Sequence, residues 1–113
     1  MEAKKFVNEK SAVLANLFNL FIMEELSDVE LDHFLWNTLK EWDELDIQEQ
    51  TLGSCKEEVF WHLLFELKSW SGSQIQSNVG LQQLLLSSVM FLQDKGSKPA
   101  HCVGIRPVAN YVN

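Results

Sequence analysis

Apolar residues recur at intervals of three and four along most of the chain, the spacing that gathers them on one face of an α-helix. Val13, Leu14, Leu17, Phe18 and Phe21 hold this period, which predicts a first helix from Ala3 or Ser11 to Leu26 with that face toward a core. Ser27 and Glu30 then stand at the capping-box spacing. The Ser27 hydroxyl can accept from the Glu30 amide while the Glu30 carboxylate reaches back to the Ser27 amide. A second helix therefore starts here, buries Leu31, Phe34, Leu35, Leu39 and Trp42, and frays between Trp42 and Leu45. The run from Asp43 to Gln50 reads as a polar connector.

Gly53 breaks the chain, and Ser54 with Glu57 repeats the capping spacing, so a third helix is expected from Cys55 to about Trp70. Gly72 is its expected stop. After a polar stretch from Ser71 to Asn78, a fourth helix from about Val79 to Lys95 carries Leu81, Leu84, Leu85, Val89 and Leu92, with Gly96 as its break. Beyond Ser97 the pattern changes. Pro99, Gly104 and Pro107 with alternating Val103, Ile105 and Val108 predict an extended tail along the bundle, with room for one short strand.

The 113 residues, 46% of them hydrophobic, fit one domain over 1–113 with a core of its own. The expected fold is all-α: a compact antiparallel bundle of about four helices with an extended C-terminal tail over 97–113 packed on it. Cys55 and Cys102 are too few for a disulfide framework and read as free thiols of a reducing cytoplasm. Lys4-Lys5 before the apolar stretch Ala12–Met23 has the outline of a signal peptide. Asn16, Asn19 and Glu24-Glu25 disagree with that pattern, and the stretch is short of the ~20 apolar residues of a membrane span.

Charge changes the picture. The net charge of −7 argues against unaided nucleic-acid binding, because acidic surface repels the phosphates a binder must neutralise. Between Glu24 and Glu58 lie twelve of the sixteen acidic residues, opposed only by Lys40 and Lys56. The acidity is local, and a basic partner fits it.

Candidate chemistry is sparse. Cys55 and His62 are seven residues apart, and His101 and Cys102 are adjacent and expected to point in different directions, so the paired short spacings of a zinc site are absent and no metal or other cofactor is expected. Glu30 and His33 form a single Glu-x-x-His, whereas di-iron bundles need that motif on two helices; it reads as a solvated polar face. Glu58, His62 and Glu66, at steps of four, have the form of an acid–base relay, but no nucleophile is within reach by sequence. With no Gly-x-Ser-x-Gly elbow and no glycine-rich phosphate loop, the chain does not read as an enzyme.

The acidic segment is the main functional signal. Its carboxylates are not interleaved with lysines, and Trp42 stands among Glu41, Asp43, Glu44, Asp46 and Glu49. That setting suits an interface anchor steered by charge, and also a tryptophan that closes the core at a helix end. With Asp28 and Asp32 on the flank of the second helix, these residues form the candidate partner-binding surface. In the third helix Val59, Leu63, Leu67 and Trp70 share the expected buried side with Phe60 and Leu64 beside them. Trp61 and Phe65 are left on the flank, and at least one of the two is expected to pack, since a helix apolar nearly all round is central.

The run from Glu57 to Trp70, EEVFWHLLFELKSW, with Cys102 to Pro107, CVGIRP, resembles the small helical immunity proteins that accompany colicin-type and contact-dependent growth-inhibition toxins. The resemblance covers the second half of the chain. It implies a cytoplasmic inhibitor, not associated with membrane, that binds a cognate toxin domain one-to-one and blocks its active site, often that of a nuclease. A second resemblance, carried by Glu24-Glu25-Leu26-Ser27-Asp28-Val29-Glu30-Leu31-Asp32-His33-Phe34, is to the death-fold adaptors of animal signalling, pyrin domains among them. It implies about six short helices and an adaptor function.

Overall fold

Ser27 and Ser54 start α2 and α3 where their spacing predicts, each hydroxyl accepting from the amide three residues on, that of Glu30 at 3.1 Å and that of Glu57 at 3.2 Å; the expected return bond from the glutamate carboxylate is formed at neither, and the Glu57 carboxylate turns to Trp61 and Arg106 instead. The computed structural model of the chain describes residues 3–45, 54–102, 104 and 106. Its elements are α1 (Ala3–Ile22), α2 (Asp28–Glu44), α3 (Cys55–Ser69), α4 (Gly72–Ser77) and α5 (Val79–Leu92). The chain is all-helical, with no strand among the described residues and no helix there long and apolar enough to cross a membrane. Its radius of gyration of 13.6 Å is close to the roughly 13 Å of a compact domain this size.

The described residues form five helices, where about four were expected. Gly72 does not stop α3; the extended backbone of Trp70 does, and Gly72 opens α4. The polar stretch was expected to be a connector, but Ser71 and Gln74 cap each other reciprocally and Ile75 is buried. One apolar residue in six gives too little periodicity to read. The turn also needs distant partners: Gln76 Nε2 donates to the Phe21 carbonyl at 2.6 Å, and Gln82 Nε2 donates to the carbonyls of Ile75 and Gln76 at 2.8 and 3.0 Å.

Helices α1 and α3 each pack against the other and against both α2 and α5, which flank them. This central place explains the apolar girth of α3, where Val59, Phe60, Trp61, Leu63, Leu64 and Leu67 are all buried. Trp61 is 0% exposed, with ring centroids 4.9 Å from Trp42 and 4.8 Å from Phe60, both near edge-on; such contacts add to the area term. Phe65 is half-buried against the same core. Trp70, expected on the buried side, is instead exposed at the end of α3, its indole N–H donating to Glu66 Oε2 at 3.0 Å. Val13 and Leu84 are also exposed, and Phe34 is half-buried.

Two sharp connections use left-handed backbone. Glu24 has φ 61° just after α1, and Asp94 has φ 63° followed by Gly96 at φ 91° after α5, so α5 ends before the expected break at Gly96. The described part of the C-terminal segment packs on α3. Gly104 N donates to the Glu58 carbonyl at 3.1 Å. A Cβ on Gly104 would fall 2.6 Å from that same oxygen and against the His62 amide nitrogen, so only glycine permits the approach. Val103, Ile105 and Pro107 onward, where the short strand was allowed, lie outside the described residues.

Candidate functional site

The exposed side of α2 displays Asp28, Glu30, Asp32, Glu41, Asp43 and Glu44, with Lys40 as its one basic residue. Helical period puts Leu31, Leu35, Thr38, Leu39 and Trp42 on the opposite side, in the core. Asp28 packs beside α4, where a Cβ on Gly72 would come within 2.5 Å of the Asp28 Cβ. Glu41 pairs with Lys10 of α1. Asp46 and Glu49 lie outside the described residues.

Trp42 does not stand on this surface. It is 7% exposed, its ring 5.4 Å from Phe6, so it closes the core and offers no free face to a partner. The reason is register: Trp42 follows Leu35 and Leu39 at seven and three residues, on the apolar stripe. The aromatic that α2 does present is Trp36, 45% exposed. Lys68 Nζ lies over its ring, 3.3 Å from the centroid, a cation–π contact. Partial burial lowers the Lys68 ammonium below its ordinary value, with Asp32 pulling the other way. Trp36 falls between Leu35 and the exposed Asn37 and off the buried stripe, a signal the α2 wheel carries.

The second cluster lies on α3. Glu58 pairs with Lys98, whose ammonium is raised mainly by that hydrogen bond. His62 Nε2 lies 3.6 Å from Glu66 Oε1. These three residues form no relay by themselves, since Glu58 is engaged elsewhere. The C-terminal segment, however, brings His101 and Cys102 to His62. Ligand atoms of His62, His101 and Cys102 lie within 4.8 Å of one another. This corrects the expectation that adjacent His101 and Cys102 diverge: Cys102 N bonds the Pro99 carbonyl at 3.1 Å, and in that turn both side chains bring a ligand atom near His62.

Cys102 is wholly buried, with Sγ 3.2 Å from Ser88 Oγ. Burial raises its thiol above the ordinary value, only partly offset by Ser88 and Lys98. A neutral buried thiol is a poor nucleophile, and it must lose its proton before it can ligate a metal. Cys55, by contrast, is exposed. Comparison with protein-family models, with curated proteins and with solved structures found no match to this chain.

Proposed function

We propose that this protein is a stoichiometric inhibitor of the immunity type, which neutralises a cognate toxin domain with a basic, nuclease-like surface by docking the exposed side of α2 against it in the cytoplasm. The observation that supports this reading is the exposed side of α2, where six carboxylates and Trp36 stand with Lys40 as the one lysine of that helix, while Lys10 of α1 pairs with Glu41 and Lys68 of α3 lies over the Trp36 ring. A nuclease must attract phosphate, so its active-site surface is basic, and an acidic inhibitor competes for the same field. Opposite charges also steer encounter, with association reaching about 10⁸–10⁹ M⁻¹s⁻¹ at low salt. Trp36 replaces Trp42 as the aromatic anchor, being large, rigid and already outside the core.

The test is capture of partners from the native host with the full chain as bait, washed at low and then high salt, followed by a nuclease assay of the recovered protein. A basic protein inhibited at one-to-one supports the reading when Asp32→Lys, Asp43→Lys and Glu44→Lys together slow association and flatten its salt dependence. Binding unaffected by these reversals removes the α2 face. Recovery of the chain's own copies or of signalling proteins favours the death-fold adaptor instead. The described residues form five helices, where that resemblance implies about six.

A further inference from the structure

We propose that His62, His101 and Cys102 form a binding site for a zinc-class divalent metal ion, held by two imidazoles and one thiolate with the remaining position open to solvent. The three ligand atoms come from α3 and from the C-terminal segment and already lie within 4.8 Å of one another. Ligands of one tetrahedral zinc, at 2.0–2.3 Å from the metal, stand roughly 3.3–3.7 Å apart. Closing the difference takes a movement of about 1 Å, which the exposed His101 ring can supply by rotation.

The segment that carries two of the ligands is held at both sides. Lys98 pairs with Glu58 before them, and Gly104 bonds the Glu58 carbonyl after them. The loop thus spans His62 at a fixed height, with the His62 and His101 rings 5.4 Å apart and 71° to each other.

The neighbours of the ligands are those a metal site uses. Glu66 Oε1 stands 3.6 Å from His62 Nε2, outside hydrogen-bond range, and Glu66 Oε2 is itself held by the Trp70 indole; closing that gap while the other ring nitrogen meets the metal would put a carboxylate behind the ligating histidine, which fixes the ring and raises its basicity. Ser88 Oγ, 3.2 Å from Cys102 Sγ, can turn its O–H toward a thiolate. On binding, the Cys102 proton leaves to solvent as the sulfur–metal bond forms. One sulfur and two nitrogens select zinc, cobalt or copper over magnesium and calcium, which take oxygen ligands. The site rests on these residues alone and stands apart from the α2 surface and the inhibitor reading.

Titration of the full chain with cobalt(II) tests it. One equivalent is expected to produce a thiolate-to-cobalt charge-transfer band that zinc abolishes by displacement. Cys102→Ser removes the band and Cys55→Ser keeps it. His101→Ala, whose side chain is exposed, leaves the fold unchanged by circular dichroism and weakens binding at least about tenfold. The proposal is overturned if no band appears, if Cys55→Ser is the variant that loses it, or if His101→Ala binds as tightly as the parent chain.

Discussion

Arg106 closes on Glu57 with both arms of its guanidinium: Nη2 stands 3.0 Å from Oε1, and Nε bonds Oε2. The carboxylate is nearly buried and also accepts from the Trp61 indole at 3.2 Å. The guanidinium lies 5.7 Å from the centre of the Trp42 ring. One residue near the C-terminus thereby ties the third helix, the second helix and the aromatic core together. Removing Arg106 leaves a buried carboxylate with the indole as its remaining partner among the described residues, so Arg106→Ala should cost about 3 kcal/mol. Arg106→Lys should recover little of it, because an ammonium has no planar fork. Urea denaturation midpoints of the three proteins measure both effects.

Gly104→Ala places a Cβ against backbone atoms of α3 at Glu58 and His62. Backbone cannot step aside as a flexible side chain would, so the C-terminal segment should lift from α3 at a cost of roughly 1–3 kcal/mol. Hydrogen exchange at the Cys102 amide should then accelerate, while amides in the middle of α1 keep their protection.

The two tryptophans of α2 should separate cleanly. Trp42→Ala opens a hole beside Trp61 and Phe6 and is expected to lose about 3–5 kcal/mol of stability. Trp36→Ala, at an exposed position, should change stability by less than about 1 kcal/mol yet weaken partner binding about thirtyfold, the effect of a hot-spot residue. Thermal denaturation beside a binding isotherm distinguishes the two.

Cys102 should make the metal-free protein sensitive to alkali. Burial raises its thiol above the ordinary value of 9.0, so the folded chain holds that proton more tightly than the unfolded chain. The corresponding stability is fully present below pH 9.0 and is lost as pH rises through the raised folded value. Denaturation midpoints on the alkaline side should fall less steeply in Cys102→Ser. At neutral pH a thiol reagent should modify the exposed Cys55 at once and Cys102 only on unfolding.

Ser11 is buried in α1, and its hydroxyl has no hydrogen-bond partner among the described residues. Ser11→Ala removes a desolvated polar group and improves helix propensity, and should stabilise the protein by about 1 kcal/mol. A rise in melting temperature of several degrees checks it.

Much of the helical frame was legible. The starts of α2 and α3 follow from a serine three residues before a glutamate, and the buried faces of α1, α2 and α5 follow from apolar spacing, because a cap and a helix face are local properties. Helix α4 was not legible: Ile75 is its one apolar anchor, and its carbonyls depend on Gln82 from the next helix. The sequence leaves Trp42 open to two roles, since its acidic neighbours say nothing of what lies on its other side. Phe6 and Trp61 occupy that side.

The sequence by itself determined that the chain is helical, where most of its helices begin, and that its acidity is concentrated between Glu24 and Glu58. These depend on residues a few positions apart. Only the tertiary structure decided that Trp36 and not Trp42 faces outward, that Arg106 meets Glu57, and that His101 and Cys102 converge on His62. Each of those contacts joins side chains that chain-local spacing does not relate, and each depends on which helices pack together and where the C-terminal segment crosses α3.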